Sequence, residues 1–131
     1  MPNTPSTHST VAPASDSAPL LDAERLVVYG VALEFQLQAS ALALRADAVV
    51  RDQLRRASLS CVLNIAEGAG QRARAQKRHQ YSIARGSAME SAAILDVLRG
   101  HGIASHVEWR RARALVVRVV QMLTKLDQVL S

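Results

Sequence analysis

From Leu20 to the end of the chain, apolar residues recur at steps of three and four in four successive blocks, the period of a helix with one buried side. The first block, about residues 20 to 43, carries Leu26, Gly30, Leu33, Leu37, Ser40 and Leu44 as its inner stripe. The second, about 49 to 67, brings Leu54, Cys61, Val62, Ile65 and Ala66 onto a broad inner face. The third, about 75 to 99, aligns Tyr81, Ala84, Ala88, Ser91, Leu95 and Leu98. The fourth opens with Ser105-His106-Val107-Glu108, in which the serine accepts from the glutamate amide and the glutamate reaches back. It then runs through Trp109, Ala112, Val116, Val119, Leu123, Leu126 and Leu130. Leu115, Val117, Val120 and Met122 lie off that stripe, so the fourth helix is expected to keep apolar surface for a subunit interface.

Helices of about 20 to 25 residues with short connections predict an all-α fold, an antiparallel up-down-up-down four-helix bundle over residues 20–131. All four prolines fall before Leu20, in a segment of mainly small and polar residues that cannot bury enough apolar surface to order itself. Residues 1–19 are therefore expected to form a disordered tail, and they lack the basic and apolar regions of a signal peptide. No later stretch is long and apolar enough for a membrane span, and the single cysteine, Cys61, suits a reducing cytoplasm.

The stretch NIAEGAG, residues 64 to 70, places an amide, a carboxylate and two glycines directly after an apolar run. Gly68 and Gly70 read first as a stop signal, in the left-handed conformation favoured at helix C-termini. A phosphate-cradling loop would need a preceding strand, and none is predicted. On the third helix, IARGSAMES sets Arg85, Gly86, Ser87 and Glu90 within two turns, and a mid-helix glycine suggests close backbone approach. A polar network is expected in which Glu67 and Glu90 engage Arg85 while Asn64 and Ser87 complete the hydrogen bonds. An adjacent guanidinium holds carboxylates ionised, which suits structure better than proton transfer. Cys61 has no neighbouring base, the histidines lack co-ligands at metal spacing, and Trp109 and Tyr81 fall on apolar stripes. No catalytic residue, metal or cofactor is expected.

Charge changes the picture. Sixteen Lys and Arg against eleven Asp and Glu leave a net charge of +5. No acid lies between Glu67 and Glu90, where Arg72, Arg74, Lys77, Arg78 and Arg85 fall. Positive charge at the start of the third helix opposes its dipole, and a bound anion would relieve this. Arg72, Arg74, Lys77 and Arg78 are thus the leading nucleic-acid contacts, with Arg55 and Arg56 on the second helix and Arg111 and Arg118 on the fourth adding to the cationic surface.

QLRRASLSCVLNIAEGAG followed by YSIARGSAMESAAILDVL resembles the paired signature of the four-helix bundle family. That family includes proteins encoded in intervening sequences of 23S rRNA genes and accessory proteins of diversity-generating retroelements. The resemblance covers residues 53 to 98. It implies a ring-like homopentamer without enzymatic activity, and in the retroelement branch a basic surface that binds nucleic acid and a reverse transcriptase. Asn64, Glu67, Arg85, Ser87 and Glu90 take the signature polar positions, which implies a part in packing and assembly. Ala73 departs from the pattern, where relatives have Ser or Thr starting the third helix. The expectation is a cytoplasmic, non-enzymatic homo-oligomer binding RNA or DNA through phosphates. The alternative is a protein-interaction scaffold with no nucleic-acid role.

Overall fold

The computed structural model describes residues 19–131, so the expected tail, Pro19 apart, lies outside the described residues. A 3-10 turn, Asp22–Arg25, precedes α1 Val27–Ala43, α2 Ala48–Gly70, α3 Arg74–Gly100 and α4 His106–Leu130 among the described residues. No strand occurs among the described residues. The first block does not form one helix from residue 20. Leu26 is extended and separates the 3-10 turn from α1, while the turn packs Ala23 against the end of α2.

The ends are set by local chemistry. Asp47 caps α2 by accepting from the Val50 amide at 3.0 Å. The capping box of α4 forms as expected, with the Glu108 amide donating to Ser105 Oγ at 3.1 Å and the Ser105 amide to Glu108 Oε1 at 3.0 Å. Between α3 and α4 the left-handed residue is Gly102, at φ 73°. Ile103 then donates to the Leu98 carbonyl and Gly102 to the Arg99 carbonyl, which closes the helix end. Gly68 and Gly70 instead lie inside α2, so the left-handed stop expected there is not used.

Contacts join α1 to α2, α2 to α3 and α3 to α4, and α4 closes back onto α1, leaving α2 diagonal to α4. Phe35, Leu54, Ile65, Leu95, Leu98, Val116, Val119 and Leu123 fill the centre. Alanines 32, 39, 84, 88 and 112, all fully buried, let the helices approach closely. The inner faces of α2 and α3 match the spacing. That of α1 does not: Val28, Val31, Ala32, Phe35, Ala39 and Leu42 point inward, whereas Leu37 is 50% and Leu44 69% exposed. With Glu34 its one charged residue, α1 is apolar on nearly every side, so spacing alone could not choose. The spare apolar surface of α4 lies mainly elsewhere than at the off-stripe residues: Val107 and Val129 are exposed, and Leu126 and Val129 line an apolar cavity with Leu26, Val27 and Val28. Leu115 is buried, and Val120 and Met122 pack against the core, because α4 is flanked by both α1 and α3. No described helix is long and apolar enough to cross a membrane.

Candidate nucleic-acid interface

The turn after α2 and the first turns of α3 lie beside the C-terminal ends of α2 and α4. That placement gives the basic segment local partners. Lys77 Nζ donates to the Gly68 carbonyl at 3.2 Å and the Ala69 carbonyl at 3.0 Å. Arg78 grips Asp127 with Nε at 2.9 Å from Oδ1 and Nη2 at 3.4 Å from Oδ2. Arg74 Nη1 donates to the Leu130 carbonyl at 3.4 Å. Two helix C-termini, each a partial negative charge, thus meet three cations. Opposition to the α3 dipole does not therefore require a bound anion. The hydrogen bond from Arg78 holds the Asp127 carboxyl below its ordinary range, and Arg78 is shifted up by the same contact. α3 has no side-chain N-cap at Ala73 and no acid in its first turn.

The remaining predicted contacts do not share one surface. Arg72 is exposed at the turn without a hydrogen bond or ion pair. On α2, Arg55 is exposed and Arg56 donates to Gln53 at 2.8 Å. Arg111 and Arg118 stand on α4, diagonal to α2 and so on the opposite side of the molecule. With Arg110 and Lys125 they occupy the outward side of α4, and all four are exposed. By helical rise this row extends about 22 Å. The acids of α4 face sideways and are engaged, Glu108 with Arg45 at 2.8 Å and Asp127 with Arg78. The outward row therefore carries four cations with no carboxylate between them.

The expected polar network is assembled differently. Ser60 and Ser87 share a hydrogen bond at 2.9 Å across α2 and α3, and Asn64 Nδ2 donates to the Ser60 carbonyl at 2.9 Å and to its Oγ at 3.2 Å. Arg85 Nε donates across to Thr124 Oγ1 on α4 at 2.8 Å. Glu67 and Glu90 are exposed and make no ion pair with Arg85. On an α-helix Arg85 lies toward α4 whereas Glu90 turns outward, so the three groups diverge. Within the chain no atom comes within 4 Å of a Cβ placed at Gly86, so the close approach expected there is not intramolecular. At Gly68 a Cβ would stand 2.7 Å from Tyr81 Cε1, and this glycine exists to admit the tyrosine ring.

A family model described as 23S rRNA-intervening sequence protein matches residues 24–125. The chain belongs to that family. Among solved structures, the chain is similar to a protein of unknown function from the S23 ribosomal protein family of Bacteroides thetaiotaomicron VPI-5482. The two are 21% identical with a TM-score of 0.74, over 77% of this chain and 98% of the other, a likeness of fold. No curated protein matches the chain.

The family match covers the whole signature region and the α4 row as far as Lys125. Several contacting residues were not singled out from spacing. Ser60, Thr124 and Asp127 pair with residues 27, 39 and 49 positions away, and only the helix register reveals them. Trp109 is half-buried rather than central. Its Nε1 donates to Asp96 Oδ1 at 2.9 Å, and the guanidiniums of Arg99 and Arg113 lie 4.1 and 5.6 Å from its ring centroid, which staples α3 to α4. Cys61 is fully buried, and desolvation pushes its thiol pKa up to about 12. No group of metal-ligating side chains occurs among the described residues.

Proposed function

We propose that this 23S rRNA-intervening sequence protein is a non-enzymatic, homo-oligomeric bundle that binds the phosphate backbone of RNA or DNA through the outward side of α4. The observation that carries this reading is the row Arg110, Arg111, Arg118 and Lys125, exposed and with no acid between its members, while Glu108 and Asp127 at its two ends are engaged by Arg45 and Arg78. Arginine suits phosphate geometry, and such a row follows a polyanion without reading bases. The proposed centre of binding thus moves from residues 72–78, where Arg74, Lys77 and Arg78 hold helix ends, to α4. The subunit would be an up-down-up-down bundle in a cytoplasmic ring, a homopentamer in the family pattern, and in a retroelement setting it would serve beside a reverse transcriptase. Assembly would use the surface of α2 and α3. Leu63, Ile83 and Val97 are exposed there, Val49 and Ile94 line a shallow apolar cavity of about 160 Å³ beside Glu90, and Gly86 offers open backbone.

The test is binding of a structured RNA and a duplex DNA across a salt series, with mass measured by light scattering. Four neutralised phosphates predict a loss of about 10²-fold in affinity between 50 and 200 mM salt. The variant R110Q/R111Q/R118Q/K125Q should bind weakly with a shallow slope. No binding at low salt by the intact oligomer would overturn the reading. The exposed apolar surface of α2 and α3 favours one alternative, a scaffold for another protein. That alternative predicts a complex that survives nuclease and the fourfold neutralisation but is lost on Leu63→Glu.

A further inference from the structure

Between the 3-10 turn and the α2–α3 turn lies a polar cavity of about 580 Å³ whose lining includes Asp22, Arg25, Arg72, Lys77 and Tyr81. It joins segments nearly fifty residues apart, so the sequence does not mark it. Three cations face it against one carboxylate. Among the described residues Arg25 and Arg72 have no side-chain ion pair or hydrogen bond, unlike Arg74 and Arg78 nearby. The Lys77 ammonium has three donors and places two on the carbonyls of Gly68 and Ala69, which leaves one for a ligand. The two α2 carbonyls anchor Lys77, so it enters the cavity in one position at little entropic cost.

We infer that this cavity binds a phosphate monoester, of the kind carried at the end of a nucleic-acid strand. Charge and shape select that class. The net lining charge of two matches a monoester, which carries about 1.5 to 2 negative charges at neutral pH, better than an internal phosphodiester with one. A recess at the end of the molecule admits a group that terminates a strand, whereas a continuous backbone suits the open row on α4. Arg25 and Arg72 each offer a planar fork of donors to the phosphate oxygens, and Lys77 supplies the third contact.

The inference rests on the nucleic-acid reading for the source of the ligand, and the experiment separates the two. A short RNA is titrated into the full-length protein in three forms of identical sequence, with a 5′-phosphate, a 3′-phosphate or hydroxyls at both ends, and with inorganic phosphate as competitor. One monophosphorylated form should bind about tenfold more tightly than the hydroxyl form, equivalent to about 1.4 kcal/mol. The preference should vanish in R25Q/R72Q and under excess inorganic phosphate. R111Q/R118Q should weaken all three RNAs alike and keep the preference. Arg25 and Arg72 are exposed and have no hydrogen-bond or ion-pair partner among the described residues, so R25Q/R72Q should melt like the parent. Three equal affinities, or a preference that survives R25Q/R72Q, would overturn the inference while leaving α4 binding intact. If no RNA binds, the functional reading falls, and inorganic phosphate alone decides the cavity. Saturable amide shifts around residues 25 and 72 in an NMR titration would support a free-phosphate site, and their absence would overturn it.

Discussion

Gly68 and Gly70 show how much one position differs from its neighbour. Both are helical, yet only Gly68 faces the Tyr81 ring, with a would-be Cβ 2.7 and 2.8 Å from two ring carbons. Gly68→Ala should therefore lower stability by about 1 to 3 kcal/mol in thermal or denaturant unfolding, as overpacked sites do. Gly70→Ala meets nothing within 4 Å and should be neutral or slightly stabilising. Cys61 supplies a second test. With its thiol pKa pushed up to about 12 and no exposure, it should resist alkylation in native protein at neutral pH and react with one equivalent after denaturation. NIAEGAG reads locally as a helix stop, but the first glycine answers to a tyrosine on the next helix. Local conformation is visible in sequence; a ring arriving from elsewhere is not.

At the scale of elements, the basic segment is the informative case. Lys77 neutralises the end of α2, and Arg78 with Arg74 secures the end of α4. Lys77→Gln should cost about 1 to 2 kcal/mol, from charge-assisted hydrogen bonds and the helix-end interaction together, visible as a lowered midpoint on thermal unfolding. The carboxyls of Asp127 and Glu108 titrate lower in the fold than in the open chain, Asp127 through the hydrogen bond from Arg78 and Glu108 through the Ser105 amide and then Arg45. A depressed folded value favours the native state only while the group is ionised. Their contribution is therefore complete above about pH 5 and is lost as pH falls below about 4. D127N should flatten the acid limb by removing this contribution at pH 7 to 8, where Asp127 is ionised, while leaving stability in strong acid, below both pKa values, unchanged. Helices α2, α3 and α4, with their inner faces and the capping box of α4, were legible because periodicity and that box are local. The α1 face was not, since an apolar helix presents several equivalent stripes and its neighbours choose among them.

For the whole molecule, diagonal placement of α2 and α4 separates the cations into distinct territories. It leaves α4 outwardly basic while α2 and α3 carry exposed apolar residues with Glu67 and Glu90. Gly86→Ala distinguishes roles for that second surface. Nothing in the chain meets the added methyl, so the isolated subunit should gain up to about 1 kcal/mol from helix propensity. If the backbone there packs against another copy, the same change should lower the mass seen by light scattering on dilution. Arg85→Ala, which removes one exposed hydrogen bond to Thr124, should cost the fold only about 0.5 to 1 kcal/mol. A larger loss confined to the assembled form would assign Arg85 to the interface.

By itself, the sequence determined that the chain is helical, where α2, α3 and α4 lie, which faces of α2 and α3 turn inward, and that its signature belongs with the 23S rRNA-intervening sequence proteins. These properties depend on residues within a turn or two of one another. Only tertiary structure decided which cations are already engaged and which remain available. Arg78 meets Asp127 from 49 positions away, and Arg25 joins Arg72 around a single cavity. Coulomb attraction and hydrogen bonding act through space over a few ångströms, so helix packing, rather than proximity in sequence, sets each charge's partner.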